Sequence, residues 1–139
     1  MTISESIQVL QALIERTGEL QERGELLVML EGPISSAGFR PPEVAVMDDT
    51  RIGRQSDYYF IVAVFYYCLT GKQRSRFQMF CFEPPNLSGV IRSNGLDLEA
   101  SQLLYEIFKK GLAYQGKKRY QSLKELQKDV NELLLLMQQ

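Results

Sequence analysis

The side chains that most often carry enzymatic chemistry are scarce or scattered in this chain. Histidine is absent, which excludes imidazole general bases, histidine metal ligands and histidine-containing triads. The two cysteines, Cys68 and Cys81, lie too far apart for a CxxC motif and form no metal-binding quartet. Cys68 sits in an apolar run, where cysteine behaves as a small apolar residue, so we expect a buried free thiol there.

Charge is nearly balanced, with 16 lysine and arginine residues against 17 aspartate and glutamate residues. Proteins that bind nucleic acid or anionic membranes usually carry a clear basic excess, so we expect neither partner. The N-terminus has no basic segment followed by an apolar core, and no secretory signal is predicted. Because the cysteines form no disulfide or metal pattern, the expected location is the reducing cytoplasm.

No side chain is charged between Tyr58 and Leu69. A helix made of these residues has no face suited to water, so it must be buried inside the protein. Periodicity alone also allows a strand. The flanks favour a helix of about residues 57–70, because Ser56 or Asp57 can cap its start and Gly71 can end it in a left-handed conformation. The sequence therefore predicts a mainly α domain built around a central buried helix.

Three other segments have the apolar spacing of amphipathic helices. One follows a capping box from Thr2 to Glu5, one follows a predicted cap at Asp97, and one follows a second capping box that starts at Ser122. The short apolar run at residues 26–30 is favoured as a buried strand, with the tail of a helix as the alternative.

The order Asp57, Tyr59 and the Leu-Thr-Gly triplet at residues 69–71 resembles the motif of one particular buried helix, the long one in the C-terminal lobe of eukaryotic-type protein kinases. Further motifs of this chain stand in the order and spacing of that lobe. The family's glycine is replaced here by Val62. Residues 36–44, Ser-Ala-Gly-Phe-Arg-Pro-Pro-Glu-Val, resemble the end of an activation segment, with proline in place of the alanine of its alanine-proline-glutamate motif.

Residues 110–126 resemble the kinase segment in which a turn and an arginine, here Arg119, precede the last helix. The resemblance implies a structural ion pair between Glu43 and Arg119. It also implies that Asp57 holds the backbone of the catalytic loop. That loop is reduced here to residues 18–24 at most, so capping of the central helix is the other role considered for Asp57.

The motifs of phosphoryl transfer are missing. No glycine-rich phosphate loop precedes the lobe, no histidine-arginine-aspartate triplet is present, and Leu30 takes the place of the metal-binding aspartate. Leucine cannot ligate magnesium. We therefore expect no enzymatic activity, no cofactor, no metal and no small-molecule substrate.

The resemblance implies a single helical domain, a kinase C-lobe without its N-lobe. In this interpretation residues 1–32 form an N-terminal helix and a short apolar segment. Residues 33–139 form the activation-segment-like loop and the helical core, so that the domain covers residues 1–139.

The expected function is that of a pseudokinase-like, non-catalytic interaction or regulatory module. Its expected partner is another protein, such as a kinase or a complex subunit. Exposed apolar patches mark such contacts, and the candidates are Phe77, Met79, Phe80, Phe82, Leu133, Leu136 and Met137. Two alternatives stay open: a C-lobe fragment of a larger active kinase that another chain or segment completes, and an unrelated helical scaffold or regulator.

Overall fold

A computed structural model describes residues 1–29, 39–72 and 85–138. These ranges contain the helices α1 (Ile3–Glu22), α2 (Pro42–Ala45), α3 (Arg54–Thr70), α4 (Ser88–Asn94), α5 (Leu98–Gly111) and α6 (Leu123–Met137), with 3-10 turns at Leu27–Met29 and Gly116–Lys118. Within them no residue belongs to a strand, and the prediction of a mainly α fold is confirmed. None of the described helices has the length and apolarity to cross a bilayer.

Helix α3 is the centre of the core. Residues 56–63 are all buried, and so are Phe65 and Tyr66 in the following turn. Helices α1 and α5 and the turn at residues 27–29 pack against it. The helix ends at Gly71, whose φ of 73° is in the left-handed region that glycine adopts without a steric penalty.

The start of α3 differs from the prediction. The helix begins at Arg54, and Gly53 occupies the N-cap position. The Gly53 N–H donates to Ser56 Oγ at 3.1 Å. Asp57 is therefore the fourth residue of the helix, and the prediction that it caps α3 was wrong. Its carboxylate is instead bonded to a distant backbone segment, which explains why it does not turn back to the helix end.

Helix α1 is amphipathic, and the residues that face the core are Ile3, Ile7, Leu10, Ile14 and Leu20. The predicted capping box is present, with Glu5 N–H donating to Thr2 Oγ1 and Thr2 N–H donating to Glu5 Oε1. The helix continues past Gly18 to Glu22. Most of the segment interpreted as a shortened catalytic loop is therefore helical.

The strand predicted at residues 26–30 was wrong for the residues that the structure describes. Leu27–Met29 is a 3-10 turn, and Leu30 lies outside the described ranges. The amides of Leu27 and Val28 donate to the Asp57 carboxylate, so these donors are not available for pairing with a strand.

Helices α5 and α6 close the other side of the core. They pack on each other, while α5 also contacts α3 and α6 also contacts α1. Asp97 Oδ1 accepts from the N–H of Ala100, and Ser122 Oγ accepts from the N–H of Glu125, as predicted for the two N-caps. The second capping box is only half formed, because the Glu125 carboxylate accepts from the N–H of Gln121 and not from that of Ser122. Helix α4 was not predicted from the sequence.

Candidate functional site

Glu43 and Arg119 form a buried ion pair that joins residues 76 positions apart in the chain. Arg119 Nη1 lies 2.6 Å from Glu43 Oε2, and Nη2 lies 2.9 Å from Oε1. The two parallel contacts give the bidentate geometry that a planar guanidinium and a carboxylate favour. Pro41 and Pro42 position Glu43 in the first turn of α2, since Pro42 takes the first helical position where proline is tolerated.

The remaining donors of Arg119 are also used within the protein. Nε donates to the Ala113 carbonyl at 2.7 Å, Nη1 to the Gln55 carbonyl at 3.2 Å, and Nη2 to the Tyr114 carbonyl at 2.9 Å. A guanidinium has five N–H groups, and all five therefore have an acceptor. The Arg119 carbon Cζ also lies 4.9 Å from the centroid of the Tyr59 ring, a cation–π distance. Arg119 thus has no donor left for a ligand.

Glu43 is held in its ionised form by its partners. Burial by itself raises the pKa of this carboxyl, but the hydrogen bonds and positive charge of Arg119 and the Ser56 hydroxyl outweigh burial, so the pKa lies below its ordinary value. Ser56 Oγ donates to Glu43 Oε2 at 2.7 Å. Glu43, Ser56 and Arg119 together lock α2, the start of α3 and the segment before α6 in one arrangement.

Asp57 forms a second buried polar site on α3. Its Oδ2 accepts from the Leu27 amide at 3.1 Å, and its Oδ1 accepts from the Val28 amide at 2.9 Å. Gln21 Nε2 donates to Oδ2 at 3.3 Å. Neither role considered for Asp57 is found as predicted, because it does not cap α3 and the amides that it accepts from lie outside residues 18–24, the segment interpreted as the catalytic loop. The carboxylate fixes the turn after α1 against the central helix.

The charge of Asp57 has no buried cation beside it. Burial raises the pKa of the carboxyl above its ordinary value, although the three hydrogen bonds act in the opposite direction. The contributions of Glu43 and Asp57 to the free energy of unfolding should therefore change in opposite directions as the pH falls.

A surface groove lies over the ion pair and has a volume of about 720 Å³. The residues that line it include Glu43, Asp48, Arg51, Gln55 and Lys117. Both oxygens of Glu43 and every donor of Arg119 are already bonded within the protein. The groove therefore lacks the unpaired buried polar group with which a catalytic or cofactor site usually holds its ligand.

No cluster of metal-binding side chains occurs in residues 1–29, 39–72 and 85–138. Cys68 is a free thiol, half-buried rather than fully buried, and burial raises its pKa. A raised pKa lowers the fraction of thiolate, the form that acts as a nucleophile. Cys81 lies outside the described residues.

The predicted partner contacts divide into three groups. Phe77, Met79, Phe80 and Phe82 lie outside the described residues. Leu133 is 0% exposed and belongs to the core, so the prediction that it contacts a partner was wrong. Leu136 and Met137 are half-buried and pack against the core.

The exposed apolar residue of this segment is Leu135, which is 62% exposed and was not singled out from the sequence. The sequence carried the signal that separates the two leucines: Leu133 continues the helical spacing of Leu126 and Val130 on the buried side of α6, whereas Leu135 lies on the opposite side.

Comparison with known proteins found no match among protein-family models, curated proteins or solved structures. The kinase resemblance therefore stays a hypothesis, and its support comes from the residues and contacts of this chain.

Proposed function

We propose that this chain is a non-catalytic protein interaction or regulatory module that resembles a pseudokinase C-lobe. One observation carries the proposal: every buried charged side chain of the described residues, Glu43, Asp57 and Arg119, is bonded within the chain itself. Enzymes instead tend to place buried ionisable groups where a substrate can reach them. The buried charges of this chain hold its segments together.

The kinase-like part of the proposal is supported by one contact that the resemblance implied, the pairing of Glu43 and Arg119 across 76 residues. Asp57 also accepts from two backbone amides of another segment, although that segment is residues 27–28 and not the predicted loop at residues 18–24. The sequence also lacks the glycine-rich loop and the catalytic and metal-binding aspartates of active kinases. A lobe that keeps these structural contacts but lacks the residues of phosphoryl transfer can still offer its surface to another protein.

The end of α6 is the contact surface that we propose for the partner. Leu135 is exposed, and Leu136 and Met137 lie half-buried beside it. We expect Leu135→Ser to reduce capture of a partner from the native source while leaving the unfolding midpoint nearly unchanged. Leu98→Ser is the matched control, because Leu98 is a similarly exposed leucine, at 73%, on a different helix. Equal capture by Leu135→Ser and the parent protein would exclude this surface.

Thermal unfolding with ATP and magnesium tests the alternative of an active kinase segment. A ligand at 100 times its Kd stabilises the folded protein by about 2.7 kcal/mol. We expect no change in the unfolding midpoint, because no phosphate-binding loop is present. A nucleotide-dependent increase would contradict the non-catalytic assignment and favour a kinase fragment that retains a nucleotide site.

A further inference from the structure

We propose that a lysine-lined groove at the C-terminal end of α5 binds a short acidic segment of a partner protein. The proposal rests on the proposed function, an interaction module, and names the chemistry of one partner. The groove has a volume of about 590 Å³, and Lys109, Lys110, Lys118, Glu106, Ala113 and Tyr114 are among the residues that line it. We call it the lysine groove.

Two of the three lysines in the groove have positive charges that are not paired with a carboxylate of the described residues. Lys110 Nζ lies 3.3 Å from Glu125 Oε2 and 4.8 Å from the centroid of the Tyr120 ring. Lys109 and Lys118 form no ion pair with any acid of the described residues. Their ammonium groups can therefore pair with carboxylates of a partner without first breaking an internal contact.

The buried ion pair makes the wall of the lysine groove rigid. Arg119 donates to the carbonyls of Ala113 and Tyr114, which form that wall. The Gln121 side chain donates to the carbonyls of Gly116 and Lys117 in the next turn. A surface that is already ordered loses less conformational entropy on binding than a flexible one. The segment between α5 and α6 is thus held in shape before a partner arrives.

The surroundings favour a short acidic peptide over a long polyanion. Glu106 lines the groove and Glu125 lies beside Lys110, so a continuous phosphate backbone would meet both carboxylates. The chain as a whole has a net charge of -1. Ala113, Tyr114 and the aliphatic stems of the lysines add an apolar component. We therefore expect a segment with several acidic residues and one apolar residue.

Fluorescence anisotropy with the full chain tests the lysine groove. The probe is a labelled peptide of glutamates around one phenylalanine, and the comparison peptide has lysines in place of the glutamates. We expect the acidic peptide alone to bind, and the double variant Lys109→Glu/Lys118→Glu to bind it at least about tenfold more weakly, since reversed charges repel the peptide. The matched control, Lys124→Glu/Lys128→Glu, makes the same change in net charge on α6.

Three results would overturn the proposal. They are no binding of the acidic peptide, an equal loss of binding in the control variant, and displacement of the peptide by a DNA duplex or by phosphatidylserine vesicles at lower concentration than by unlabelled peptide. These measurements test only whether the lysine groove binds an acidic peptide, and they do not test the proposed interaction function. If Lys109→Glu/Lys118→Glu still captures a native partner as the parent protein does, the groove is not its site, while the interaction function stands.

Discussion

At the scale of single residues, Arg119 shows how a permanently charged side chain can be buried. It is 1% exposed, and moving an unpaired guanidinium into such a site would cost several kcal/mol. The bidentate contact with Glu43 and the three backbone carbonyls offset that cost. Because three segments supply the acceptors, the same contacts that satisfy Arg119 also fix the position of each segment.

Arg119→Ala should lower the free energy of unfolding by about 3–5 kcal/mol, because it leaves the Glu43 carboxylate buried without its partner. Arg119→Lys should fall between this variant and the parent protein, since an ammonium cannot make the bidentate contact. Urea denaturation measures both. The control is Arg51→Ala, which removes an exposed pair with Asp48 and should leave the midpoint nearly unchanged. Equal midpoints for Arg119→Ala and the parent protein would contradict a stabilising role.

The pKa shifts of Glu43 and Asp57 predict opposite changes in folding stability as the pH falls. The folded pKa of Glu43 is lowered, so its stabilising contribution is complete above its ordinary pKa of 4.5 and is lost as pH falls through the folded value. The folded pKa of Asp57 is raised, so the folded state takes up that proton first and stability increases as pH falls from the folded value towards 3.8.

We therefore expect Glu43→Gln to flatten the loss of stability on acidification and Asp57→Asn to steepen it, each relative to the parent protein. Denaturation midpoints measured across a pH series give the comparison. A change in the same direction for both variants would show that the assigned pKa directions are wrong for at least one of these carboxyl groups.

At the scale of helices, α3 and α5 are in close contact where Val62 faces Gly111. A Cβ atom built on Gly111 would lie 2.6 Å from Val62 Cγ2, a separation that packed carbon atoms do not tolerate. The larger side chain is on α3 and the glycine is on the facing helix, so the missing Cβ of Gly111 makes room for Val62.

Gly111→Ala should destabilise the protein by about 1–3 kcal/mol through overpacking, although alanine is the better helix former by about 1 kcal/mol. Combining it with Val62→Ala should remove most of the overpacking cost, because the obstructing methyl groups are gone. Gly18→Ala is the control: the Cβ added to this α1 residue would lie 3.5 Å from Leu123 Cδ1 of α6, an ordinary van der Waals contact. The prediction fails if Gly111→Ala and Gly18→Ala shift the urea midpoint in the same direction.

At the scale of the whole molecule, the described helices enclose one core. Buried residues of α1, α3, α5 and α6 belong to a single cluster, so both ends of the chain pack on the same centre. The buried pair adds a contact between residues far apart in the sequence. No group of the described helices has a separate core that could stay folded alone.

We expect a single cooperative unfolding transition. Far-UV circular dichroism reports the helices, and tyrosine fluorescence reports the core, because the chain has 7 tyrosines and no tryptophan. Coincident midpoints from the two probes are the two-state result. Separate midpoints would mean that the N-terminal helix or α6 unfolds independently of α3.

The sequence by itself determined that the fold is mainly α, that a helix containing residues 58–69 runs through its core, and that Thr2, Asp97 and Ser122 cap helices. Each of these follows from local properties: apolar spacing, a stretch without charge, and a side-chain oxygen one turn before an amide donor. The last turn of that helix is less buried than predicted, since Tyr67 is 43% exposed. The pairing of Glu43 with Arg119 came only through the resemblance, because no local pattern connects two residues so far apart.

The exposure of Leu135 follows from helical spacing, since Leu126, Val130 and Leu133 form the buried stripe of α6 and Leu135 lies on the opposite side. Only the tertiary structure decided the role of Asp57 and the 3-10 turn at residues 27–29. An aspartate near a helix start can cap that helix or accept from another segment, and the choice depends on which donors are brought within about 3 Å of it. The donors here are amides of that turn, which are distant from Asp57 in the chain, and local sequence does not record which distant segments meet.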